Sequence, residues 1–76
     1  MIITYYEETC KRTIDLNGLV NSCQAIKGNK VVLTEKRFLR RIFNNIVRFY
    51  PGNLTEVGDY IFQLNKDAGK MFYSCL

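Results

Sequence analysis

The amino-acid sequence predicts an α+β fold, in which a small antiparallel sheet packs against one long amphipathic helix. The helix is indicated by an unbroken helical spacing of apolar residues between Glu35 and Tyr50. The sheet is indicated by runs of β-branched and aromatic residues at both ends of the chain, which predict N-terminal strands and a C-terminal hairpin. A chain of 76 residues has room for one hydrophobic core, so we expect a single domain over residues 1–76.

The helix over Glu35–Tyr50 has both a start signal and a stop signal. Thr34 can act as the N-cap, since its hydroxyl can accept a backbone N–H that the first turn leaves unpaired. Pro51 and Gly52 end the helix, because proline cannot continue the hydrogen-bond ladder. One half of the helix is apolar and is expected to be buried against the sheet: Phe38, Leu39, Ile42, Phe43, Ile46, Val47, Phe49 and Tyr50.

The N-terminal half begins with a strand at Ile2–Glu8, which is rich in β-branched and aromatic residues. Asn17-Gly18 and Gly28-Asn29 are typical of hairpin turns, and together they predict a meander of three further strands. These strands are Cys10–Leu16, Leu19–Ile26 and Lys30–Leu33.

A competing arrangement makes residues 16–26 a short helix that ends at Gly28. Its apolar face would consist of Leu19, Val20, Cys23 and Ile26. The meander is preferred, because Asn21 and Ser22 beside Cys23 are indifferent helix formers.

The C-terminal hairpin is predicted from two runs that flank a short loop. Asp59–Asn65 and Lys70–Leu76 contain aromatic and β-branched residues, and Lys66–Gly69 separates them. Gly69 is expected to adopt a positive φ in this loop. The polar stretch Pro51–Val57 is expected to form the turn from the helix into the first of these strands.

The charge balance favours an acidic partner. The formal net charge is +4, from eleven Lys and Arg residues against seven Asp and Glu residues. Such a balance suits nucleic acid or an acidic protein surface. The abundant Ile, Asn, Lys, Tyr and Phe are all encoded by AT-rich codons, which are common in bacteriophages and mobile elements.

Targeting and cysteine signals indicate a cytoplasmic protein, in the host cytoplasm if a phage encodes it. The first residues lack the basic region and the apolar stretch of a signal peptide, and no apolar run approaches the ~20 residues that span a bilayer. Cys10, Cys23 and Cys75 show neither an even count nor a CxxC spacing. We therefore expect reduced, small apolar core residues rather than disulfides or a metal site.

Catalytic chemistry has few candidates in this sequence. The chain contains no histidine, which is the commonest general base and a frequent metal ligand. It contains no glycine-rich phosphate loop and no nucleophile elbow. Lys11 and Arg12 lie beside Cys10, but this arrangement is usually accidental. We therefore expect a protein that is not an enzyme and that holds neither a cofactor nor a metal.

The polar side of the helix over Glu35–Tyr50 carries a cluster of basic and amide side chains that forms a candidate binding site. Arginine presents a planar donor fork that can hold a phosphate or carboxylate through two hydrogen bonds, and asparagine can bond to backbones or base edges. No acidic residue follows Glu35 on this helix, whereas a helix that merely faces solvent usually mixes both signs. The candidate binding residues are Lys36, Arg37, Arg40, Arg41, Asn44, Asn45 and Arg48.

A second candidate surface is aromatic. Six aromatic residues fall in predicted strands, and about half of them should point away from the helix, where they could stack on unpaired bases or form a protein interface. They are Tyr5, Tyr6, Tyr60, Phe62, Phe72 and Tyr73.

Two functions fit these observations. The first is a non-catalytic binding module whose arginine-rich helix face engages nucleic acid or a nucleic-acid-handling protein complex. The alternative is a small inhibitor or adaptor, of the kind that phages and mobile elements encode to block a host protein. A homodimer through the edge of the C-terminal hairpin is also possible on this sequence.

Overall fold

The computed structural model describes the backbone of residues 1–28 and 33–76, and the side chains of residues 1–25 and 35–76. It confirms the α+β class: a two-stranded antiparallel sheet is followed by helices. The predicted single long helix is wrong, because the described residues form four helices. In chain order the elements are β1 (Ile2–Glu7), β2 (Cys10–Asp15), α1 (Leu16–Gly28), α2 (Leu33–Phe49), α3 (Leu54–Leu64) and α4 (Lys66–Tyr73).

The two strands form a tight hairpin whose register runs from Ile2 opposite Asp15 to Glu7 opposite Cys10. The predicted strands at this end of the chain are confirmed, apart from the final residue of each. Alternation along β1 turns Ile3 and Tyr5 into the core and leaves Tyr6 61% exposed. A hairpin of two strands is only marginally stable alone, so its position depends on the helices that cover its inner face.

Helix α1 replaces the preferred meander, which was wrong. The Asp15 carboxylate accepts the backbone N–H of Asn17 at 3.1 Å, so the segment Asn17-Gly18 opens a helix instead of a hairpin turn. The competing helix was the correct interpretation, because its spacing buries Leu19, Val20 and Cys23 together. In the meander, Val20 would have faced the polar side.

The rest of the predicted meander lies at the edge of the described chain. Residues 29–32, which include most of the predicted Lys30–Leu33 strand and half of the Gly28-Asn29 turn, lie outside the described residues. Gly28 is the last residue of α1 and Leu33 is the first residue of α2.

Helix α2 confirms the predicted amphipathic helix to within two residues at each end. The N–H of Tyr50 still bonds the carbonyl of Ile46 at 3.0 Å, and the chain then turns at Pro51. The Thr34 side chain, the predicted N-cap, lies outside the described side chains. Only three of the eight apolar side chains are fully buried, and four are half-buried. The buried ones are Leu39, Phe43 and Ile46.

Helices α3 and α4 occupy the region predicted as a C-terminal hairpin, which was wrong. Asn53 caps α3 by accepting the N–H groups of Thr55 and Glu56, at 3.0 and 3.2 Å. Asn65 ends α3 with its own N–H and caps α4 with its side chain. These caps, and a spacing of three and four between Leu54, Val57, Ile61 and Leu64, overrode the β-propensity of the aromatic residues.

Two glycines allow α3 and α4 to approach each other closely. A Cβ on Gly69 of α4 would lie 2.6 Å from the Cα of Phe62, and a Cβ on Gly58 of α3 would lie 2.9 Å from the Tyr73 ring. Each helix therefore presents a glycine where the other places an aromatic residue. The predicted positive φ of Gly69 was wrong, since no glycine in the described chain has one. Gly69 matters here because it has no side chain.

The core draws residues from the hairpin and from all four helices. At its centre the rings of Phe43 and Phe72 meet edge to face, with centroids 5.9 Å apart. Because residues 59–76 contain no strand, the proposed homodimer through a C-terminal hairpin edge has no basis in this fold. No helix in the described residues combines the length and the apolar content needed to cross a membrane.

Candidate functional site

The candidate site is the outward side of α2, which we call the basic face. It comprises Lys36, Arg37, Arg40, Arg41, Asn44, Asn45 and Arg48. The structure places all seven on one helix and exposes all except Asn45, which is half-buried. At about 100° per residue, the four arginines fall within one sector of the helix surface. Between Arg37 and Arg48 the helix rises about 16 Å, at about 1.5 Å per residue.

The net charge of the whole chain equals that of α2. This helix carries five cationic side chains and one carboxylate, Glu35, which gives +4, the same as the formal charge of the chain. The other six basic and six acidic residues cancel. The excess positive charge is therefore concentrated on one element.

The arginines of the basic face have no carboxylate partner within the described side chains. Among the described side chains, the ion pair that forms lies in the β-hairpin, where Arg12 Nε is 3.6 Å from a Glu7 carboxylate oxygen. Arg37, Arg40 and Arg41 make no side-chain hydrogen bond within the same part of the chain. Their guanidinium groups therefore remain available to an external anion.

Arg48 differs from the other three arginines because an aromatic ring holds it. Its guanidinium carbon lies 5.3 Å from the centroid of the Phe49 ring, and that ring stacks on Tyr5 of β1 at 6.4 Å. Such a cation–π contact leaves the guanidinium edge free to donate hydrogen bonds.

Burial of Tyr5 raises the pKa of its phenol, with Glu7 adding to the shift and Arg12 opposing it.

Helix α4 extends the basic face on one side. Lys36, Arg37 and Arg40 line a groove whose other wall is Lys70, Met71 and Ser74 of α4, with a volume of about 520 Å³. Lys70 thus joins the site, although the sequence did not predict it. The missed signal is the four-residue spacing of Lys66 and Lys70, which is hidden when this region is interpreted as a strand.

The β-hairpin borders the basic face on the other side. Here Arg41 and Asn45 share a groove of about 340 Å³ with side chains from β1 and β2, among them Arg12 and Glu7. Phe38 also lines this groove and is 63% exposed, although its position in the apolar row predicted burial. That prediction was wrong because Phe38 lies at the margin of the buried sector, next to Arg41.

The second candidate surface, an aromatic face of the sheet, does not exist as predicted. Tyr5 and Tyr6 lie in β1, but the other four aromatic residues lie on α3 and α4. Phe72 is fully buried, whereas Phe62 and Tyr73 pack across the α3–α4 contact with centroids 6.3 Å apart. The Tyr60 hydroxyl donates to the Asn17 side chain at 2.8 Å and ties α3 to α1.

The cysteines follow their predicted environment only in part. Cys23 is buried, and desolvation raises the pKa of its thiol. Cys75 is half-buried, but Cys10 is exposed at the start of β2, so the expectation of three core cysteines was wrong. Arg12, one of its basic neighbours in sequence, pairs with Glu7. The described residues contain no cluster of three or more potential metal-binding side chains.

Comparison with models of protein families, with curated proteins and with solved structures finds no match to this chain.

Proposed function

We propose that the protein is a non-catalytic binding module that uses the basic face of α2 to engage nucleic acid. The observation that supports this function most strongly is the concentration of the net charge on exposed arginines without carboxylate partners in the described chain. An arginine kept only for solubility is commonly surrounded by charges of both signs. Arginines free of such neighbours suit phosphates, which they bind through paired hydrogen bonds.

The length of the basic face agrees with this function. The distance of about 16 Å between Arg37 and Arg48 equals the axial rise of about five base pairs of duplex DNA, at ~3.4 Å each. Lys36 and Lys70 add two more cations beside this line. Binding through about four phosphates gives a plot of log affinity against log salt a slope of roughly −3.6 on duplex DNA and roughly −2.8 on single strands.

The test measures binding of labelled duplex and single-stranded oligonucleotides at two or more salt concentrations. Arg40→Gln with Arg41→Gln should weaken binding and make the slope less steep by about 1.4 to 1.8, since two phosphate contacts are lost. The matched control is Lys11→Glu, which lowers the net charge by the same two units at an exposed residue of β2, outside the basic face and its grooves. Equal weakening by both variants, or no binding of the wild-type protein at low salt, contradicts the proposed function.

A second candidate function is that of a small inhibitor or adaptor, and the exposed Phe38 beside Arg37 and Arg41 favours it. Aromatic residues and arginines dominate the binding energy of many protein interfaces. Pull-down experiments with and without nuclease separate the two functions. A stoichiometric protein partner that survives nuclease and moderate salt supports the adaptor function, and a partner lost on nuclease treatment supports nucleic-acid binding.

A further inference from the structure

We infer that the groove between α2 and the β-hairpin takes an unpaired base, which stacks on Phe38, so that the nucleic acid bound by the basic face is single-stranded. This inference rests on the proposed function and names its substrate class. It begins from a large apolar ring, Phe38, that is 63% exposed at the edge of the basic face, in the same groove as Arg41.

Phe38 is unlike the other aromatic residues of the core side of α2. Phe43 and Phe49 each pack against another ring, whereas Phe38 has no ring partner within the described side chains. Its ring therefore leaves an aromatic surface open to a ligand. Stacking on an aromatic side chain is the common mode by which proteins hold unpaired bases, because every base has a π-face.

The neighbours of Phe38 have the chemistry that a stacked nucleotide needs. Arg41 lies one helical turn away and lines the same groove, where it can reach a phosphate attached to the stacked base. The opposite wall offers the Glu7–Arg12 pair, and Asn45 adds a carboxamide. Together they supply hydrogen-bond donors and acceptors for the edge of a base.

The charge around the ring decides between possible occupants of the groove. Arg12 is paired with Glu7, so Arg41 is the cation of this groove without a carboxylate partner among the described side chains. A second copy of this chain would bring an overall positive charge toward Arg41, which is unfavourable. A polyanion gains from the same arginine. In duplex DNA the bases are already stacked and paired, so Phe38 offers a duplex no comparable contact. The groove therefore favours a single strand.

The experiment measures the affinity of the full chain for a labelled single strand of mixed sequence and for its duplex, at low salt. Phe38→Ala should weaken single-strand binding by about fivefold or more, since stacking of one base contributes ~1–3 kcal/mol. It should leave duplex binding and the salt slope within error of wild type, because no phosphate contact is lost. Phe38→Tyr keeps an aromatic face and should restore single-strand affinity to within about twofold.

Controls separate this inference from the proposed function. Tyr6→Ala removes an equally exposed ring from the outer side of β1 and should leave binding unchanged. Because Phe38 is exposed, its variants should fold normally, which circular dichroism will verify. If Arg40→Gln with Arg41→Gln weakens binding but Phe38→Ala does not, the basic face stands and the stacking site is refuted. Absence of all binding by the wild-type protein refutes both.

Self-association is the remaining outcome of the test. Light scattering on the wild-type protein and on Phe38→Ala reports whether the ring lies between two copies of the chain. A wild-type dimer that the substitution converts to a monomer overturns the inference. A monomer in both cases, together with selective loss of single-strand binding, supports it.

Discussion

Tyr73 of α4 donates its phenolic hydrogen to the Asp59 carboxylate of α3 at 2.6 Å, while its ring lies over Gly58 on the same helix as Asp59. One side chain thus contacts α3 with both its polar end and its apolar ring. The contact closes the α3–α4 pair, which supplies Phe72 to the core and Lys70 to the groove beside the basic face.

The Asp59–Tyr73 hydrogen bond predicts a loss of stability at alkaline pH. It raises the pKa of Tyr73 above the ordinary value of 10.0. Above 10.0 the phenol ionises in the unfolded chain but keeps its proton in the folded protein, so the free energy of unfolding falls as the pH rises. Below 10.0 the stabilisation is fully present.

This prediction is checked by titrating phenolate absorbance in the wild-type protein and in Asp59→Asn. The substitution removes the carboxylate acceptor, so the Tyr73 phenol should ionise at lower pH, closer to 10.0. Glu56→Gln changes another exposed carboxylate of α3 and should leave the titration unchanged. Superimposable curves for wild type and Asp59→Asn would show that the hydrogen bond does not form in solution.

The glycines of the helices should respond to alanine with opposite signs. Gly69→Ala should cost about 1–3 kcal/mol, because its Cβ would meet the Cα of Phe62 at 2.6 Å and the backbone must move. Gly18→Ala in α1 meets only the Asp15 carboxylate at 3.7 Å, and it should raise stability by about 0.5 kcal/mol through helix propensity. Urea unfolding of both variants measures the two changes in the free energy of unfolding. If both substitutions destabilise the protein, the close approach of α3 to Gly69 is not what distinguishes the two glycines.

The asparagine caps of α3 and α4 should each contribute about 1 kcal/mol to the free energy of unfolding. Asn65→Ala removes the acceptor of the Asp67 and Ala68 N–H groups, and Asn65→Ser restores a capping oxygen. Asn21→Ala, on the exposed side of α1, is the matched control and should be neutral or slightly stabilising. If Asn65→Ala unfolds at the same urea concentration as this control, the cap is not contributing.

The hairpin turn contains a residue that glycine should improve. Glu8 has a φ of 57°, a left-handed conformation that costs non-glycine residues about 1 kcal/mol. Glu8→Gly should therefore raise stability by about 0.5–1 kcal/mol, whereas Thr9→Gly at the neighbouring position, where φ is negative, should lower it. Thermal unfolding measures the stability of each variant. If both variants are less stable than the wild-type protein, Glu8 does not adopt the left-handed conformation in solution.

The sequence located an element correctly where the spacing of its apolar residues and its local start or stop signals indicated the same structure. In α2 the apolar spacing and the proline stop coincide, so the helix and its basic face could be located in advance. In α3 and α4, aromatic residues such as Phe62 and Phe72 favoured strands on composition, while the capping roles of Asn53 and Asn65 were overlooked. Lys70 was missed for the same reason.

The exposure of Phe38 and the partners of the arginines depend on tertiary packing and could not be predicted locally. Phe38 belongs to the apolar row of α2, but burial there extends only as far as the neighbouring elements cover the helix. Likewise, the pairing of Arg12 with Glu7 follows from strand register, which places the two side chains on the same side of the hairpin.

The placement of all the excess charge on α2 also governs how the molecule meets a polyanion. Its field has the character of a dipole, so an approaching strand exerts a torque that turns α2 toward it before any atoms touch. The range of this torque is the screening length, ~10 Å at 0.1 M salt. The rate at which the protein encounters a polyanion should therefore fall with added salt. The fall should be smaller in a variant that has the same net charge but carries it evenly over the surface.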